Sequence, residues 1–151
     1  MAQTLEKTAA DDFQGGGELN LDVGRLSQDQ VNLMLKNLPF DVTYVDEHDK
    51  VLYYTGSAER VFPRSPAIIG RNVQNCHPQK SVHIVNQILA AFREKKRQVA
   101  EFWITMNGRF IYIRYLPLYD REGVYKGVLE VTQDITSVRQ HKGEKRLLDW
   151  S

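Results

Sequence analysis

The chain has 151 residues, 42% of them hydrophobic and 26% charged, and its 20 basic and 19 acidic side chains leave a net charge of +1. That length supports one domain with its own core, and the even charge gives no field to draw it to nucleic acid or an anionic membrane. A lone cysteine cannot form an internal disulfide, no signal segment opens the chain, and no apolar run nears the roughly 18 residues of a spanning helix, so a soluble cytoplasmic protein is expected.

Residues 1–25 begin with an aperiodic stretch ending in Gln14-Gly15-Gly16-Gly17 and are expected to form a flexible leader or linker, as in a piece cut from or tethered to something larger. A helix is expected over 26–38. Ser27 and Gln30 have capping-box spacing, Val31, Met34, Leu35 and Leu38 form one apolar stripe, and Pro39 ends it. The stripe can cover the domain's own core or pair with a second copy as a homodimer. Phe40–Asp46 and Val51–Thr55 read as strands around the polar turn 47–50, followed by a short helical turn at Ser57–Phe62. From Ile68 to Leu89 the chain gathers a glycine turn, the only cysteine, two histidines and a helix start. Pro78 suits a helix entry, and Ser81, Val82, Val85, Ile88, Leu89 and Phe92 recur at helical spacing, predicting a helix over 79–95.

The C-terminal half reads as three strands. Val99–Met106 and Arg109–Leu118 flank Asn107-Gly108, a strong type I′ hairpin signal, and Val124–Val131 follows the turn at Asp120–Gly123. Asp134 is placed to cap a helix beginning at Ile135, so 137–151 is expected to be a helical tail. Strands, short helices, one longer helix and three more strands predict an α+β domain over 39–136, a five-stranded antiparallel sheet with its helices on one face.

The element order, closed by Asp134-Ile135-Thr136, resembles the PAS sensor domain. More closely, LPFDVTYVDEHDKVLYY, FPRSPAIIGRNVQNCHPQKSVHIV, AEFWI, FIYIRYLPL and GVLEVTQDIT resemble the C-terminal PAS module of a bacterial and archaeal family of unknown function. Longer members of that family also carry a hemerythrin-like domain, and the iron ligands expected of that domain are absent here. The resemblance spans about residues 17–150. It implies a non-catalytic sensory module that binds a small ligand or partner and relays through Asp134 and Thr136, the aspartate coupling strand end to helix start.

Several side chains could carry chemistry. Cys76 beside His77 has the residue types of a nucleophile and base, but neighbours on a turn diverge and no oxyanion-type loop accompanies them, so an enzyme is not expected. Cys76 reads as a partly buried small apolar residue or as a redox-sensing thiolate. Ile69-Gly70-Arg71-Asn72 is similar to the start of the photoactive motif of light-oxygen-voltage domains, yet Val73 stands where their flavin-reactive cysteine does; a covalent flavin adduct is not expected and non-covalent flavin stays open. His83 is similarly placed to the axial histidine of haem PAS domains, which makes a haem-binding gas or redox sensor the alternative; otherwise it is a hydrogen-bonded structural residue. His77 and His83 do not share a helical face as a metal pair would. Alternation adds Tyr44, Phe102 and Ile113, so the pocket candidates are Tyr44, Val73, Cys76, His77, His83, Phe102, Ile113 and Arg114. Arg114 would hold an anionic ligand if it pointed inward and is a surface residue if it does not.

Overall fold

The computed structural model describes residues 17–56 and 60–150. The leader up to residue 16 and the middle of the expected turn at Ser57–Phe62 lie outside the described residues. The chain divides into two units, residues 1–38 and 39–151.

In the first unit, β1 (Leu19–Asn20) and β2 (Arg25–Leu26) pair antiparallel, Leu19 opposite Leu26. The expected structureless leader therefore gives way to a small hairpin over 19–26. Helix α1 (Gln28–Lys36) starts with the capping box: Gln30 N donates to Ser27 Oγ (3.1 Å) and Ser27 N to Gln30 Oε1 (2.8 Å). Its side chains include half-buried Val31 and Leu35 and exposed Leu33 and Met34.

The second unit is built on β3 (Asp41–Asp46), β4 (Val51–Tyr54), β5 (Ala100–Met106), β6 (Arg109–Tyr119) and β7 (Tyr125–Asp134). They form an antiparallel sheet in the order β4-β3-β7-β6-β5. Asn107 and Gly108 adopt φ of 51° and 75°, as a type I′ turn between β5 and β6 requires. Gly127 in β7 has φ of 127°, and a Cβ there would stand 2.0 Å from the Val45 carbonyl oxygen, so only glycine lets β3 and β7 come this close.

Among the described residues between β4 and β5 are the 3₁₀ turns Pro66–Ile68, Val73–Cys76 and Gln79–Ser81, the last leading into α2 (Val82–Arg93). Leu89 and Phe92 of α2 pack with Val128 of β7, placing the helix over one face of the sheet. The expected tail helix is not formed. After Asp134 there is a 3₁₀ turn at Val138–Gln140 and then no regular structure, with Leu147, Leu148 and Trp150 exposed. A segment this short needs a surface to bury its apolar face, since isolated helices below ~12–15 residues are marginal in water. Among the described residues no helix is long and apolar enough to cross a membrane.

Candidate functional site: a cavity between α2 and the sheet

Strand register decides which side chains meet the helix. Val45 lies opposite Val128, Thr43 opposite Glu130 and Asp41 opposite Thr132; Glu130 in turn faces Tyr115 and Thr132 faces Ile113, which pairs with Phe102. Residues directly opposed in an antiparallel ladder share a face, so all of these lie on the side of Val128, where α2 packs. The central strands bury polar groups there: Asp41, Thr43, Glu130 and Thr132 are each less than 10% exposed.

A cavity of about 250 Å³ lies between this face and α2. Ser81, Ile84, Val85, Ile88 and Leu89 form its helical wall, Val73 and His77 close one side, and Val45, Phe102, Ile104, Ile113, Tyr115, Val128 and Glu130 form the sheet wall. Ile84, Phe102 and Ile104 are the more exposed of these, about 40% each, so the cavity opens between α2 and the edge strand β5. The Phe102 and Tyr115 rings meet edge to face, centroids 6.0 Å apart. Burial, reinforced by Glu130, pushes the Tyr115 hydroxyl far above its ordinary pKa, so it stays protonated.

Behind Glu130 sits a knot of charge. Arg64 approaches Glu130 Oε1 at 3.6 Å, and Thr132 Oγ1 donates to the same oxygen at 3.4 Å. Arg60 donates to the Thr55 carbonyl (2.7 Å) and Oγ1 (2.8 Å) and to the Phe62 carbonyl (3.1 Å), while Asp41 accepts from Val61 N (2.7 Å). The buried Arg64 Nε has no hydrogen-bond partner.

The expected pocket residues separate into two groups. Val73, His77, Phe102 and Ile113 line the cavity, whereas Tyr44, Cys76, His83 and Arg114 do not. Tyr44 is opposite Leu129 on the other face of the sheet, its hydroxyl donating to the Lys126 carbonyl (2.8 Å), and Val45 takes the inward position. Arg114 lies on that outer face too, donating to Gln133 Oε1 (2.8 Å) and stacked over Tyr112. Trp103, on the same face of β5, is exposed. Cys76 turns its thiol to the Asn72 carbonyl (3.6 Å) and His77 Nδ1 lies 2.9 Å from the Val73 carbonyl, so each side chain engages backbone one turn back.

His83 is exposed on α2 and absent from the wall, which removes the axial ligand that a haem reading required. A cavity of ~150 Å³ holds benzene, so about 250 Å³ accommodates a ring or two. Ser81, Glu130 and the arginines behind it were missed as site residues. The available signal was the period-two run Val128, Glu130, Thr132, which puts a carboxylate on the helix-facing side of a central strand.

At the end of β7 the Asp134 carboxylate accepts from Thr136 N (3.0 Å) and Thr136 Oγ1 (2.5 Å), bonds that hold its pKa below the usual carboxylate range. Thr136 Oγ1 accepts from Phe110 N (2.8 Å), and Ile135 N donates to the Phe110 carbonyl (2.9 Å). The junction is thus an Asx turn tied to the β5–β6 hairpin, not the start of an α-helix.

No curated relative matches the chain. Among solved structures it is similar to a C-terminal domain from Streptococcus mutans, with 35% identity, 82% of this chain and 96% of that one covered and a TM-score of 0.77. It is also similar in fold to a PAS domain from Colwellia psychrerythraea (18% identity, 72% and 97% covered, TM-score 0.53). A sensory box sensor histidine kinase from Vibrio cholerae shares the fold as well (14% identity, 70% and 89% covered, TM-score 0.50). The PAS domain family model matches residues 31–136, and with the antiparallel sheet, the helix-covered face and the cavity between them, the chain belongs to the PAS domain family.

Proposed function

We propose that the chain is a non-catalytic sensory module in which a small ligand, held between α2 and the sheet, alters the Asp134–Thr136 junction. The observation that carries this reading is the course of β7: it supplies Val128 and Glu130 to the cavity wall and ends at Asp134. A ligand pressing on Glu130 acts on a strand whose end is clasped to the β5–β6 hairpin, and only a ligand that prefers one arrangement of that clasp can shift it. A sensory role fits the fold shared with the Vibrio cholerae sensor kinase.

Native mass spectrometry of the purified protein identifies any co-purifying small molecule, and amide exchange with and without it reads the junction. Ligand is expected to change exchange at Phe110, Ile135 and Thr136, and Asp134→Ala to abolish that change while occupancy stays the same. A filled cavity with those three amides unaltered sinks the relay.

We further propose homodimer formation through α1, whose Val31, Met34, Leu35 and Leu38 form the stripe and whose Leu33 and Met34 are exposed. Light scattering across a concentration series is expected to show a dimer that Met34→Lys weakens; a strict monomer throughout rejects the pairing.

A further inference from the structure

The polar groups in the cavity wall are few, and their hydrogen-bonding roles can be counted. Glu130 presents a carboxylate, which only accepts, and its two contacts at Oε1, 3.6 Å and 3.4 Å, are long. His77 Nδ1 lies 2.9 Å from the Val73 carbonyl oxygen, itself only an acceptor. Nδ1 therefore carries the proton, and in the neutral ring Nε2 is an acceptor. Ser81 adds a hydroxyl that makes no capping bond to α2, and Tyr115 adds another. No lysine or arginine is among the described residues of the wall, which hold acceptors and hydroxyls but no fixed cationic donor.

Among the described residues the charges behind the wall balance: Arg60 and Arg64 stand with Asp41 and Glu130, two against two. A charged ligand would be desolvated beside side chains of balanced charge, with no residue of the wall to supply a net counter-charge to an anion. An anion would also face Glu130 directly. The edge-to-face rings of Phe102 and Tyr115 suit a planar guest.

Resting on the reading of this cavity as a ligand site, we infer that its ligand is a small uncharged aromatic molecule whose hydroxyl or N–H group donates to Glu130 or His77. The chemistry selects against carboxylates, phosphates and ammonium ions, and favours a donor over a hydrocarbon because a hydrocarbon adds no hydrogen bond to Glu130 or His77.

The test titrates the full chain with indole, benzyl alcohol, toluene, benzoate and benzylammonium, reading affinity by calorimetry. Indole and benzyl alcohol are expected to bind about tenfold more tightly than toluene, and both ions more weakly than toluene. His77→Phe is expected to shrink the advantage of indole over toluene while toluene binding persists; should that variant fail to fold, the probe series on the unaltered protein decides. Toluene or either ion matching indole overturns this inference and leaves the cavity as a ligand site. No binding by any probe at millimolar concentration overturns both.

Discussion

At its C-terminal end α2 is fastened from several sides, whereas its N-terminal half stands over a void. Phe92 is fully buried beside Leu89 and Val128, and Tyr119 Oη donates to the Phe92 carbonyl at 2.6 Å. Arg93 reaches the Glu47 carbonyl (3.0 Å) and Asp49 (2.5 Å) and stacks over Tyr125, whose hydroxyl burial pushes up to about 12. By contrast, Ser81, Ile84, Val85 and Ile88 line the cavity, Val85 and Ile88 also packing against the Leu89, Phe92 and Val128 cluster, so part of their surface faces the cavity rather than packed neighbours. The helix has one anchored end and one loosely supported end. A ligand in the cavity, as proposed, is expected to change the packing of the N-terminal half and to leave the anchor in place.

Truncation breaks this comparison most directly. Phe92→Ala is expected to cost about 3–5 kcal/mol of unfolding free energy, because it empties a fully packed site. Val85→Ala, at a half-buried side chain that lines the cavity, is expected to cost under about 1.5 kcal/mol. Chemical denaturation measures both, and equal losses would mean that the two ends are packed alike.

The smallest effect concerns the junction. The Asp134 pKa is lowered first by the Thr136 hydroxyl and then by its amide. A depressed carboxylate contributes stability above its unfolded pKa and loses it as pH falls through the folded value. Amide protection at Thr136 and Phe110 is therefore expected to drop on acidification below the usual carboxylate range, while the last turn of α2 stays protected. Protection at the junction that is indifferent to acid would contradict the role given to Asp134.

Local rules carried much of the fold. Ser27 and Gln30 set the start of α1, Asn107-Gly108 the hairpin, and the stripe from Ser81 to Phe92 the face of α2. Face assignment failed where a pattern has two equivalent solutions. Alternation offered Tyr44 for the pocket, but this central strand buries residues on both faces, and only pairing with β7 shows that Val45 is the inward residue. Arg114 failed for the same reason. His83 is different: it lies off the apolar stripe, whose periodicity points it outward, while the likeness to haem domains leaves an inward haem ligand and a structural residue both open. The tail helix at 137–151 was inferred from a cap alone, with no surface for Leu147, Leu148 and Trp150 to cover. The charged knot was hidden because Asp41, Arg60, Arg64 and Glu130 are distant in sequence and converge only when the sheet forms.

The central claim is that the void under the N-terminal half of α2 is a ligand site while the C-terminal half stays anchored. Methyl carbon-13 spectra recorded during an indole titration test it most directly. The account predicts saturable shifts at Ile84, Val85, Ile88 and Ile113 and little change at Val51 and Val131, which are buried outside the cavity wall. Shifts led by Val51 and Val131, or none at the four wall residues, would contradict it.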